Sequence, residues 1–290
     1  MSDQPDFELF SSLRYDPILT NLPTNTSSWG STTTAPNPNH SPYYMLPFHR
    51  DRMLQAAEHF NWATAANRIQ GASGFSHLLE KLNQAIDTNS TTPLRVRTLL
   101  SYDGIIRIET MPVPALPAET LYPFRLPPPR AASKQTVEAS PLTGGSLTLG
   151  PDDIVQGDPP RENPFLVLPD TGNTTASPFT SYKTTSRDMY TKARERVGIM
   201  DWGERKEVLL VSGEGEIMEG SLTSPYFWRD GRWVTPTVGS GGQVGTTRRW
   251  ALEKGFCVEG VVKVDSLVDG EECWISNGVR GFLWGQVKLS

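Results

Sequence analysis

Fourteen of the 24 prolines fall between positions 112 and 178, and few regular elements survive such spacing. Proline fixes φ and donates no backbone hydrogen bond, so it resists helix interiors and central strands. Residues 111–180 are therefore expected to be a mostly extended connection carrying a few short strands. That leaves a patterned unit on each side: an N-terminal α+β domain over 1–110 and a C-terminal domain over 181–290. A chain of 290 residues is long enough for two cores of ordinary size. Pro114 and Pro117 have the spacing of an SH3-type ligand, but such pairs arise by chance in any Pro-rich stretch.

The N-terminal unit alternates between strand and helix signals. Phe7 to Tyr15 reads as a strand, and residues 20–42 have loop composition, rich in Thr, Ser, Asn and Pro. Met53, Ala56, Ala57 and Phe60 fall at helical spacing, with Pro47 near the start. Phe75, Leu78, Leu79, Leu82 and Ile86 form a second helical stripe. Leu94–Leu100 and Ile105–Thr110 flank Ser-Tyr-Asp-Gly and predict a hairpin. In the C-terminal unit, Met189, Tyr190, Ala193 and Val197 mark a helix, and Glu207–Val211 a strand. Met218–Trp228 and Arg232–Thr235 predict a hairpin around Arg-Asp-Gly. A helix over about 245–256 follows, with strands at Val258–Val264 and Cys273–Ser276.

A net charge of −5 argues against a general nucleic-acid or membrane-surface binder, since both partners select basic faces. Cys257 and Cys273 are too few for a disulfide framework and lack metal-ligand spacing. They point to reduced thiols in a cytoplasmic protein without a metal. No basic leader with an apolar stretch and no long apolar run is present, so neither a secretory signal nor a membrane span is expected.

Three C-terminal segments carry chemistry. Lys183 stands among small hydroxyl residues at the junction of an extended stretch and a helix. A lysine is a nucleophile once burial or a neighbouring cation lowers its pKa. Glu219 lies among apolar and small residues, where a carboxylate can pair with a protonated pyridine nitrogen. Gly239 to Gly245 lead into Thr246, Thr247 and a helix, a start that suits a phosphate. The loop is neither a Walker A sequence nor a dinucleotide G-x-G-x-x-G. Each segment alone has a bland reading as surface lysine, turn glutamate or glycine loop. A covalent lysine, a ring-nitrogen carboxylate and a phosphate cradle together are the three anchors that pyridoxal 5′-phosphate (PLP) needs.

The order of these segments resembles the fold-type IV PLP enzymes, the class IV aminotransferase family, which includes aminotransferases and aminodeoxychorismate lyases. Lys183-Thr-Thr-Ser-Arg187 is similar to the lyases' Lys-x-x-Asn-Arg, and Val244-Gly-Thr-Thr-Arg248 to the family's phosphate turn. Trp274-Ile-Ser-Asn277 resembles the closing strand and turn near the phosphate. His49-Arg-Asp-Arg52 resembles a His-x-x-Arg motif whose arginine reaches that phosphate. The resemblance implies a two-domain α+β fold of the D-amino-acid aminotransferase type. It implies PLP held by Lys183, Arg52, Glu219, Gly245, Thr246, Thr247, Ser276 and Asn277, and a homodimer acting on a small molecule. Two positions depart from the family: Asp188 stands where aminotransferases carry a tyrosine, and Ser224 where an asparagine is usual.

The Lys183 segment and Phe10-Ser-Ser-Leu-Arg-Tyr-Asp16 look most like fungal-type aminodeoxychorismate lyases. That resemblance implies conversion of 4-amino-4-deoxychorismate to 4-aminobenzoate and pyruvate in folate synthesis. The substrate's two carboxylates call for arginines. Arg14 and Arg97 are the expected partners, with Arg187 a third and the Ser11 and Ser12 hydroxyls as orienting groups. The alternatives are an aminotransferase of D-amino acids, branched-chain amino acids or chiral amines, and a non-catalytic scaffold with the same fold.

Overall fold

A computed structural model describes residues 5–22, 41–130, 157–201 and 203–289. Most of the expected loop at 20–42, and residues 131–156 of the Pro-rich stretch, lie outside the described residues. The first unit is a three-stranded antiparallel sheet of β1 (Leu9–Tyr15), β2 (Leu94–Leu100) and β3 (Ile106–Pro112), in that order. The β2–β3 hairpin turns at Gly104, where φ is +82° and a side chain would be strained. Because strand side chains alternate, β1 serves two faces. Leu9 packs with Met53, Ala56 and Ala57 of α1 (Leu46–His59). Leu13 and Tyr15 pack with Leu78 and Leu82 of α3 (Gly71–Ala85). Burying each such apolar side chain contributes about 1.5–3 kcal/mol. Phe10, Ser12 and Arg14 are left for the opposite face.

A helix not expected from the sequence, α2 (Ala63–Ile69), sits between the two that were. It is seven residues long, too short to display a periodic stripe.

The second unit is an eight-stranded mixed sheet. Its strands are β4 (Phe165–Asn173), β5 (Lys206–Val211), β6 (Ile217–Gly220), β7 (Ser224–Arg229), β8 (Arg232–Pro236), β9 (Val258–Gly260), β10 (Glu272–Asn277) and β11 (Gly281–Val287). They lie in the order β6-β5-β4-β11-β10-β7-β8-β9. The short α4 (Ala118–Leu121) and α5 (Pro178–Ser181) precede α6 (Asp188–Arg196) and α7 (Thr246–Glu253). The α+β architecture matches the sequence expectation.

Three features refine the sequence expectation. The strand expected over Met218–Trp228 is two strands, β6 and β7, parted by a turn at Ser221-Leu222-Thr223. Buried Glu207 holds that turn, accepting from the Ser221 and Thr223 hydroxyls at 2.6 and 2.8 Å and from the Leu222 amide at 3.2 Å. The 111–180 stretch, expected to carry a few short strands, holds β4, which pairs in parallel with both β5 and β11. Its pairing with β5 shifts register between Pro169 and Asn173, which accommodates a proline inside a sheet. The third is β11, a central strand that the sequence reading left out. Among the described residues no helix is long and apolar enough to cross a membrane.

Candidate active site

The two units are stitched together at Lys183. The capping box of Ser177 and Thr180 starts α5, whose end delivers the chain in an extended form to β1. There the Phe10 amide donates to the Lys183 carbonyl at 3.0 Å, and the Thr185 amide to the Glu8 carbonyl at 2.9 Å. Lys183 is thus fixed by backbone bonds on both sides. Its half-buried amine stands 5.1 Å from the centroid of the Phe10 ring. Burial first, then the guanidinium groups of Arg187 and Arg52, push its pKa well below the ordinary lysine value, while Glu219 opposes them.

Glu219 sits on β6 and is buried. The Tyr190 hydroxyl donates to its Oε1 at 2.6 Å and accepts from Gln243 Nε2 at 2.9 Å. Burial raises the Glu219 carboxyl to about 7, against the lowering effects of Tyr190, Lys183 and Arg187. Tyr190 comes from the buried side of α6. Asp188, at the position where aminotransferases carry tyrosine, is exposed.

Arg52 reaches in from α1. Its Nη2 donates to Ser11 Oγ at 2.6 Å, and Ser11 Oγ lies 2.7 Å from His49 Nδ1. Burial, helped by Arg52 and Lys183, pushes His49 well below its ordinary pKa, so the ring is neutral. The Ser11 hydroxyl accepts from Arg52 and shares one further hydrogen bond with Nδ1, while Nε2 faces Thr246 Oγ1 at 3.4 Å. Arg52 Nε is buried without a partner among the described residues. A cavity of about 200 Å³ between α1 and the start of α7 is lined by Arg52, Gly245 and Thr246 among others. α7 begins at Gly245 with no side-chain cap. A Cβ at Gly245 would collide with Ser224 Oγ, which explains why this loop holds a glycine beside a small residue. Behind the turn, Thr247 Oγ1 and the Tyr226 hydroxyl each lie 2.8 Å from Ser276 Oγ.

The sequence-predicted residues thus sort into two groups. Lys183, Glu219, Arg52, Gly245, Thr246, Thr247 and Ser276 come together around one site. Arg97 and Arg187 join them: their guanidinium carbons lie 4.7 and 5.8 Å from the Phe10 ring centroid, on the ring that Lys183 also faces. Arg14 does not join them. Its buried guanidinium donates to Asp16 and to the Pro114 carbonyl, each at 2.8 Å, so a substrate carboxylate would have to displace a satisfied ion pair. Ser11 bonds Arg52 and His49 from the face of β1 opposite to Arg97, so it belongs with Arg52 and not with the substrate arginines. Ser12 shares the face of Arg97, its cross-strand partner. Asn277 spends its Oδ1 on the Val279 and Arg280 amides, shaping the β10–β11 turn.

Sequence reasoning missed His49, Tyr190 and Gln243. His49 lay within a motif already noticed. Tyr190 reads in the sequence only as one of the residues that mark a helix, and its hydroxyl's partner reveals it as part of the site.

Residues 147–284 match the amino-transferase class IV family. An aminodeoxychorismate lyase of Saccharomyces cerevisiae is 31% identical over 240 residues, covering 77% of this chain and 58% of that protein. The chain therefore spans less than two thirds of that relative's length. A candidate aminodeoxychorismate lyase of Schizosaccharomyces pombe is 24% identical, covering 82% of this chain and 81% of its own. The crystal structure of a candidate amino-acid aminotransferase from Mesorhizobium loti superposes with a TM-score of 0.63 at 21% identity. It covers 97% of this chain and all of its own. The chain has the fold of the class IV aminotransferases, and residues 147–284 carry that family's sequence pattern.

Proposed function

We propose that the protein is a PLP-dependent lyase that converts 4-amino-4-deoxychorismate to 4-aminobenzoate and pyruvate. The observation that carries this reading is the Lys183 amine grouped with the Arg97 and Arg187 guanidinium groups around the Phe10 ring. The similarity to the yeast lyase supports the choice of substrate.

The residues present fit PLP. The buried, unpartnered Arg52 Nε and the uncapped start of α7 suit a phosphate dianion, with Thr246, Thr247 and Ser276 supplying hydroxyls. Glu219 would hold the ring nitrogen, and Lys183 would hold the cofactor covalently. When bound, PLP supplies an aldehyde that takes up the substrate amine and a ring that draws in the electrons released at the neighbouring carbon.

Lys183 does the proton work. Its lowered pKa keeps a fraction of the amine neutral, able to take the proton from the amine-bearing carbon. The ether bond between the ring and the enolpyruvyl oxygen then breaks, leaving an aromatic ring and enolpyruvate, which becomes pyruvate by taking up a proton equivalent to the one Lys183 removed. Glu219, ionised, would keep a ring nitrogen beside it protonated. Tyr190 fixes the carboxylate's position. Arg97 and Arg187 offer guanidinium groups to substrate carboxylates.

The test is mass spectrometry of products after incubation with 4-amino-4-deoxychorismate. The reading expects 4-aminobenzoate and pyruvate in equal amounts, and recovery of unchanged substrate would overturn it. A homodimer and a cytoplasmic location accompany the proposal. The first rests on family resemblance; the second is supported by free, buried Cys257 and Cys273.

A further inference from the structure

The face of the first sheet turned toward Lys183 is unusually rich in cations. It carries Phe10, Ser12 and Arg14 of β1, and opposite them Leu99, Arg97 and Arg95 of β2. The three arginines differ in what they touch. Arg14 is neutralised by Asp16. Arg97 shares Glu109 through Nη1 at 3.1 Å, but its Nε is buried without a partner among the described residues. Arg95, directly opposite Arg14, is half-buried, and its side chain makes no hydrogen bond or ion pair with any described residue.

The surroundings compound the imbalance. Burial and then the charges of Arg97, Arg280 and Arg187 depress the Arg95 guanidinium, with Glu109 opposing. Glu109 is itself drawn to Arg107 as well as to Arg97. Arg187 adds an Nη1 that is buried and unpartnered among the described residues. Arg95 also acts on Lys183, helping to lower its pKa. Half-buried guanidinium groups held side by side repel one another, and they are stabilised when an anion fills the space between them. A carboxylate matches the planar fork of a guanidinium, in one or two hydrogen bonds.

We infer that Arg95, with Arg97 and Arg187, forms a carboxylate-binding subsite on this sheet face. Arg95 is the residue that makes the site prefer a ligand with two carboxylates over one with a single carboxylate. The choice of ligand rests on the lyase reading, whereas the subsite itself rests on the unpaired guanidinium groups.

The test uses the PLP-loaded protein and two unreactive probes. 3-(Carboxymethoxy)benzoate carries one carboxylate on the ring and one through an ether, as the proposed substrate does. 3-Methoxybenzoate lacks the second. Calorimetric titration of the wild type should show the dicarboxylate binding at least about tenfold tighter, the size of one charge-assisted contact. Arg95→Gln should abolish that preference while leaving the monocarboxylate affinity within about twofold. Arg95→Lys should keep part of it. An unchanged preference in Arg95→Gln, no preference in the wild type, or an equal loss for both probes would overturn the subsite. If the preference behaves as stated but no 4-aminobenzoate forms from the proposed substrate, the lyase reading fails and the subsite stands.

Discussion

The two walls of the site are built on opposite principles. On the α1 side, Arg52, Ser11, His49 and Thr246 form a chain in which nearly every polar atom already has a partner, leaving one guanidinium nitrogen to spare. On the β2 side, Arg95, Arg97 and Arg187 present guanidinium groups that are partly or wholly unpaired. A group that stays in the site turnover after turnover is best held by a wall prepared for it in advance. A ligand that comes and goes is better met by charges that only it can satisfy. The first wall therefore fits a resident cofactor and the second a substrate.

Substitutions can break or sharpen that contrast. Lys183 belongs to neither wall and should show the largest effect. Lys183→Ala should lower kcat by at least about a thousandfold, the range of general acid–base catalysis, before the lost covalent link is counted. Borohydride reduction of the wild type should place the cofactor on a peptide containing Lys183, and an adduct on another lysine would contradict the assignment. Arg14→Ala comes next, and it should act on stability. Removing one partner of a buried ion pair costs about 3–5 kcal/mol, so thermal unfolding should show a clearly lower Tm. A fall in kcat/KM with Tm unchanged would return Arg14 to the substrate wall.

Arg52→Ala should weaken PLP binding about ten- to a hundredfold, read from the visible absorption band on titration. The KM of the remaining loaded enzyme should change little. The smallest expected effect is on the stability of the apoprotein through Glu219→Gln, and its sign follows from the raised carboxyl. Between about 4.5 and about 7 the folded apoprotein holds a proton at Glu219 that the unfolded chain releases, so this group's contribution to stability falls as pH rises through that window. The Tm of the wild-type apoprotein relative to Glu219→Gln should therefore drop from pH 5 to pH 8. A rise over the same interval would mean that Glu219 is already ionised in the empty fold.

How much of this was legible in the sequence depended on local pattern. The α1 and α3 stripes, the β2–β3 hairpin and the Lys183, Glu219 and Gly245–Thr247 segments were readable because spacing or turn chemistry marks them. β4 was hidden by Pro169, Asp170 and Gly172, which a strand tolerates here through a register shift. β11 was hidden by its two glycines. At Gly285 a Cβ would crowd Val167 and Cys273 of the neighbouring strands, a close approach that no single-strand pattern announces. Arg14 was misread because its neutralising partners, Asp16 two residues on and the Pro114 carbonyl 100 residues on, matter only once the chain is folded. Arg95 was overlooked for the opposite reason: what distinguishes it is the absence of a partner, visible only when the neighbours are in place.

The most direct test of the account is the dependence of turnover on a keto acid. In the proposed reaction the substrate nitrogen leaves on 4-aminobenzoate, so the cofactor returns to its starting form without an amino-group acceptor. The wild type supplied with 4-amino-4-deoxychorismate alone should release 4-aminobenzoate and pyruvate over many turnovers, at a rate unchanged by added 2-oxoglutarate. Turnover that stops after one equivalent and resumes only when 2-oxoglutarate is added would contradict the lyase and establish an aminotransferase in its place.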